Sequence, residues 1–90
     1  MINSKQRAEL RSKAHHIDPI FSIGKEGIGK EFIKAIDSAI EARELIKINI
    51  LKNCDLYPKE AAEELSKKTR SEVVQIIGKK IVLYRKSKKK

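Results

Sequence analysis

From Ile20 to Lys34 the chain reads Ile-Phe-Ser-Ile-Gly-Lys-Glu-Gly-Ile-Gly-Lys-Glu-Phe-Ile-Lys: an apolar run, a Gly-x-x-Gly turn and the start of an amphipathic helix. Residues of these types at this spacing suit the binding of a phosphate. Gly24 and Gly27 carry no Cβ, so the backbone is free to take positive φ and to bring N–H groups close to an anion. The helix that follows adds partial positive charge at its N-terminus. Lys25, Lys30 and Lys34 supply formal charge around the turn, and Glu26 puts one opposite charge inside it. A glycine pair at a loop-to-helix junction also serves simply to shape a turn, so the motif alone leaves both readings open.

Other chemistry finds little support. A small enzyme would hold a substrate phosphate in the Gly-Lys-Glu-Gly turn and use His15 or His16 as acid or base. The chain lacks the GxxxxGK[ST] of a P-loop, a GxGxxG, a clear carboxylate pair and a nucleophile beside a base. His15 and His16 instead fall where a first helix should finish, near its negative end. Cys54 is the single cysteine. No disulfide can form within the chain, and no CxxC or His-x3-His spacing offers a metal cage, so neither metal nor cofactor is expected. The N-terminal residues lack the apolar centre of a signal peptide and the apolar runs are too short to span a bilayer, so the expectation is a cytoplasmic protein with no membrane partner.

The charge balance points to a polyanionic partner. Lys and Arg number 21 against 12 Asp and Glu, a formal +9 on 90 residues, which attracts nucleic-acid phosphate. The excess is concentrated at the ends. Residues 1–30 carry six basic and three acidic groups, 31–60 five and six, and 61–90 ten and three. Lys86, Lys88, Lys89 and Lys90 read as a basic, disordered tail over 86–90, which leaves 1–85 as one domain.

The elements that must position these residues follow from the apolar pattern. Ser4 is placed to cap a helix over residues 5–16, with Leu10, Ala14 and Ile17 on one side and Arg7, Arg11 and His15 as a basic stripe. Asp18-Pro19 ends it, and residues 20–23 read as a short buried strand. Residues 28–43 form a second helix buried through Ile28, Phe32, Ala35, Ile36, Ala39 and Ile40. Residues 45–51 alternate as a strand, with Ile46, Ile48 and Ile50 inward. Pro58 opens a third helix with Ala61, Ala62 and Leu65 buried. Strands over 72–77 and 80–85 form a hairpin through Gly78-Lys79. The order α-β-α-β-α-β-β predicts an α/β fold, a single two-layer domain whose four-stranded mixed sheet has its last strand antiparallel. Two β-α-β units imply right-handed crossovers and parallel pairing.

The segments Ser4-Lys5-Gln6-Arg7-Ala8, Leu10-Arg11, Ala14-His15, Pro19, Ile23-Gly24-Lys25-x-Gly27, Glu44-Leu45-Ile46-Lys47 and Val74-Gln75-Ile76-Ile77-Gly78-Lys79 resemble the bacterial YhbY-type proteins. These are stand-alone CRM domains, the chloroplast RNA splicing and ribosome maturation module, and the likeness runs along nearly the whole chain in order. It implies a fold similar to the C-terminal domain of bacterial translation initiation factor three, RNA as partner, and association with precursors of the large ribosomal subunit. The family's RNA loop falls on Gly24, Lys25, Glu26 and Gly27, and its basic first helix on Arg7 and Arg11. Two departures stand out. Glu26 occupies a place where relatives usually have a small residue, and Thr69-Arg70 replaces a frequent Thr-Gly after the third helix.

Of the aromatic residues, Phe21 and Phe32 fall in core patterns, so a platform of stacked bases is not expected and recognition should rest on phosphate and shape. The predicted footprint is the GxxG loop together with Arg7, Arg11, Lys30, Lys34, Lys79, Lys80 and Arg85. Each has an ordinary alternative. Arg7 and Arg11 suit the wet side of a helix, and Lys79 and Lys80 would protect an edge hairpin from aggregation. A general DNA-binding or polyanion-binding module is the other reading of the same charge, and a monomer is expected in either case.

Overall fold

The structure, a computed structural model, describes residues 2–87. It contains α1 (Ser4–Ala14), β1 (Phe21–Ile23), α2 (Lys30–Arg43), β2 (Leu45–Ile50), α3 (Pro58–Thr69), β3 (Glu72–Ile77) and β4 (Lys80–Tyr84). The α/β class, the element order and the mixed sheet are those expected from the sequence. The sheet order is β1-β2-β4-β3, with β1 and β2 parallel and β4 antiparallel to both neighbours.

The pairing corrects one expectation. β2 and β3 run the same way but do not pair, because β4 folds back into the gap between them. Both crossovers move across the sheet in one direction, and right-handed connections of that kind leave their helices on the same face. α2 and α3 accordingly share a core with Ile36, Ile40, Ala61, Ala62 and Leu65 packed on Ile46, Ile48, Ile50, Ile81 and Leu83.

α1 lies on the other face, so the sheet is covered in part on both sides where two layers were expected. Leu10 and Ala14 meet Val74 and Val82, flanked by the half-buried Ile2, Leu45 and Tyr84. This second core is small, and a polar contact reinforces it. The Arg7 guanidinium donates to the carbonyls of Val73 (2.6 Å) and Val74 (3.1 Å), where the register of β3 slips between Val73 and Gln75. A bulge leaves backbone groups outside the ladder, and an ionised donor satisfies them well. α1 begins one residue earlier than Ser4 suggested. Asn3 caps it, accepting from the Gln6 N–H at 2.8 Å while Gln6 accepts from the Asn3 N–H at 3.0 Å, a reciprocal capping box.

The chain beyond β4 is fastened to α2. Arg85 donates to Asp37 Oδ1 (2.6 Å) and to the Thr69 carbonyl (2.6 Å), so its guanidinium bridges α2 and the end of α3. Ser87, assigned to the tail from the sequence, is buried, with its N–H donating to Glu44 Oε2 at 2.7 Å and its hydroxyl to Glu41. Lys86 is exposed, and Lys88, Lys89 and Lys90 lie outside the described residues.

Arg70 follows α3 at φ 56, ψ 41, the left-handed conformation that glycine takes without a Cβ clash. Replacing Arg70 with Gly relieves that clash but makes the unfolded chain looser. The balance predicts a stabilisation of about 0.5–1 kcal/mol, read in a thermal melt as a rise of roughly 2–8 °C. An unchanged or lower midpoint refutes it.

Candidate nucleic-acid interface

β1 ends at Ile23, and Gly24 to Gly29 cross to the start of α2. Both feet of this loop are anchored. Leu51 N–H donates to the Ile23 carbonyl at 2.9 Å. On the helix side, Phe32 packs edge-on against Phe21, with centroids 5.9 Å apart and planes at 76°, a geometry worth about 0.5–1.5 kcal/mol beyond area burial. Both rings are half-buried and pack against the main core, on which their patterns placed them. Within the loop, Gly27 N–H closes on the Gly24 carbonyl at 3.0 Å. This tight turn carries Lys25 and Glu26 at its exposed corner.

The two glycines are not equivalent. Gly27 has φ +72, with nothing within 4 Å of the position a Cβ would take. Gly24 has no such φ, and its Cβ would sit 3.6 Å from Leu51 Cδ1 and 3.9 Å from Asn53 Oδ1, both ordinary contacts. Gly27 is therefore the residue on which the turn conformation depends.

The three helix starts differ in what they leave free. α1 is closed by its capping box, and α3 begins with Pro58, which has no N–H. α2 begins after Gly29, at φ −101 and ψ 177, with no side chain capping it. Its first internal bond is Ile33 N–H to the Gly29 carbonyl at 3.0 Å. The opening N–H groups of α2 thus face the loop mouth with the positive end of the helix dipole behind them. Ser22, Gly24, Lys25, Glu26, Gly27, Gly29, Lys30, Glu31 and Phe32 line a shallow cavity of about 790 Å³ here, so two lysines and two glutamates border it. No ion pair to Lys25, Glu26 or Lys30 occurs among the described residues, so Glu26 is not neutralised by its neighbours.

Lys79 and Lys80 reach the same end of the sheet. β4 runs opposite to β2, so the hairpin tip meets the end of β2, where Ile50 N–H donates to the Lys79 carbonyl at 2.7 Å and Asn49 pairs with Lys80. Lys34 stands exposed one turn into α2. Arg11 is exposed on α1, in the opposite layer. Arg7 and Arg85 are placed differently from the rest of the predicted footprint. Arg7 is bound to the β3 bulge, and the Arg85 side chain is only 14% exposed within its contacts to Asp37 and Glu41. Packing and hydrogen bonds account for both.

One residue escaped the sequence reading. Tyr57, in the loop between β2 and α3, is 72% exposed and is the most exposed of the large apolar side chains, at the same end of the sheet as the GxxG turn. Tyr84 packs beside the second core. The signal was Pro58. A residue before proline is held extended, and here Tyr57 sits at the exposed helix entry, outside the apolar stripe of α3. Among the described residues no group of three or more His, Cys, Asp or Glu comes together as a metal site, and no helix is long and apolar enough to cross a membrane.

An open cleft lined by two lysines and two glutamates around an uncapped helix start, on a mixed sheet with helices on both faces, defines a small α/β module. Residues 2–85 match the CRS1 / YhbY (CRM) domain, and the chain belongs to that family. It is 52% identical over 88 residues to the probable RNA-binding protein YqeI of Bacillus subtilis, covering 98% of this chain and 92% of that one. It is 40% identical over 86 residues to the probable RNA-binding protein MJ0652 of Methanocaldococcus jannaschii, covering 93% of this chain and 63% of the longer relative. The solution structure of the hypothetical protein SAV1595 from Staphylococcus aureus superposes with a TM-score of 0.82 at 57% identity, over 98% of this chain and 92% of that one.

The glycine asymmetry sets an expectation for folding. Gly27→Ala forces a Cβ into left-handed backbone and should cost about 1–2 kcal/mol in urea denaturation, whereas Gly24→Ala should change stability by less than about 0.5 kcal/mol. Equal effects at the two positions refute the assignment of the turn to Gly27.

Proposed function

We propose that this protein binds RNA without catalysing a reaction, and that the RNA is ribosomal, contacted in a precursor of the large subunit. The observation that carries the RNA reading is the uncapped start of α2 behind the Gly24–Gly27 turn, with Lys25 and Lys30 free of internal ion pairs. An RNA phosphate there would accept backbone N–H bonds in the geometry that favours anions at helix starts. Lys34, Lys79 and Lys80 extend the field around that point, and Arg11 adds charge from the α1 layer. The names of the relatives as RNA-binding proteins support the same reading, and the family resemblance supports the ribosomal setting; a cytoplasmic location and a monomer complete the proposal.

Arg7 and Arg85 act in this reading through the fold. Arg7 holds the helix that carries Arg11, and Arg85 holds α2 against α3. Glu26 acts as a moderator, opposing phosphate at the corner of the turn. Tyr57 adds a single stacking surface beside the loop, where a base would gain about 1–3 kcal/mol.

Binding of this kind is mostly counterion release, so affinity should fall steeply with salt. With about six phosphates neutralised, the log-log slope is roughly −4 to −5, and Lys25→Ala/Lys30→Ala should reduce its size by about 1.4–1.8. A flat salt response, or equal competition by DNA of the same length against structured ribosomal RNA, favours a general polyanion binder instead.

The assembly role is tested by sedimentation of cell extract on a sucrose gradient, with the same double variant shown to be folded. The wild-type protein should travel with large-subunit precursors and the variant should stay at the top. Wild-type protein left at the top at low salt refutes the ribosomal reading. Both forms travelling with the particles keeps that reading and moves the contact to α1 or the hairpin.

A further inference from the structure

Lys30 borders two clefts. One is the loop cavity already described. The other lies on the far side of the α2 start, toward α3, and encloses about 580 Å³, within the roughly 300–1,000 Å³ typical of clefts that hold small organic groups. Its floor is aliphatic, formed by Ile28 and Ile33, both half-buried and packed on the main core. Its rim is cationic, formed by Lys30, Lys34 and Lys68. The two clefts share Gly29 and Lys30, so they adjoin at the start of α2.

We propose that this second cleft receives an unpaired base from the same RNA whose phosphate lies at the Gly24–Gly27 turn, and that Lys68 of α3 contacts the adjoining phosphate. The inference rests on the RNA-binding reading above and adds a preference for single-stranded RNA at this place. An apolar floor within reach of an anion site matches the two halves of a nucleotide: a flat base of modest polarity and a charged backbone. A duplex presents its phosphates outward with its bases stacked inside, so it could use the loop but not the floor.

The charges around the cleft fit this occupant. Lys30 and Lys34 have no ion-pair partner among the described residues, and the α2 N-terminus adds to their field. Lys68 is paired with Glu64 at 3.1 Å, but the two side chains are 54% and 38% exposed. An exposed pair one helical turn apart contributes little, so exchange of Glu64 for a phosphate is inexpensive. Lys68 was absent from the sequence-derived footprint because it reads as the wet side of α3. Only the packing of α3 across α2 brings it to Ile28 and Ile33.

The test is a titration followed by NMR of isoleucine δ1 methyl and backbone amide signals, with an eight-nucleotide single-stranded RNA, the matching RNA duplex and a poly-glutamate peptide as separate probes. The single strand should shift the Ile28 and Ile33 methyls together with the Lys25–Gly27 amides, while the duplex shifts the loop amides alone. In parallel, Lys68→Ala should weaken single-strand binding by about 2–5-fold, lower the salt slope by about 0.7, and leave duplex binding unchanged. Loop amides that move while both methyls stay still overturn the base site and leave the RNA reading intact. Silence at both places with either RNA refutes the RNA reading itself. Methyl shifts larger with poly-glutamate than with the single strand overturn the base site in favour of an acidic protein partner.

Discussion

The fold depends on β4 occupying the space between β2 and β3. Ile81, Val82 and Leu83 are each buried, which is possible only for a strand covered on both faces. Ile81 and Leu83 close the core under α2 and α3, while Val82 closes the smaller core under α1. One strand thus joins two apolar clusters that otherwise share no side chain. Its antiparallel direction also carries Lys79 and Lys80 to the strand ends where the GxxG turn lies.

From that strand the polar contacts spread outward to fix the layers. α1 contributes only Leu10 and Ala14 to buried surface, so its position relies on Arg7 reaching the β3 bulge. Arg85, directly after β4, ties Asp37 of α2 to the last carbonyl of α3. Glu44 works at the turn between α2 and β2, where its carbonyl accepts from Arg85 N–H at 2.9 Å and its carboxylate from Ser87 N–H at 2.7 Å. The crossing of α2 and α3, and hence the shape of the aliphatic cleft between them, is set by these bonds together with the core. Basic residues in this chain divide by burial into those that build the protein and those left to face a partner. Composition alone does not separate them.

The loop shows a matching division between glycines. One of them permits the turn and the other only accompanies it, although the motif presents them as a pair. Glu26, exposed at the turn's corner, faces solvent with no cation bound to it, so the field at the α2 start is weaker than a count of lysines implies. Glu31, in the first turn of α2, opposes them as well.

Much of this was legible in the chain itself. The order of elements, the buried isoleucines of β2, Pro58 at a helix start and the GxxG turn follow from periodicity and from backbone stereochemistry, which act between residues close in sequence. The tertiary structure decided what depends on distant partners. It placed α1 on the second face, inserted β4 between β2 and β3, assigned Arg7 and Arg85 to internal bonds, exposed Tyr57 and brought Lys68 to the cleft. Arg7 meets carbonyls 66 and 67 residues away, and Arg85 meets Asp37 across 48. No local pattern encodes such contacts, because whether a charged side chain faces solvent or a buried carbonyl is settled only when the layers close over it.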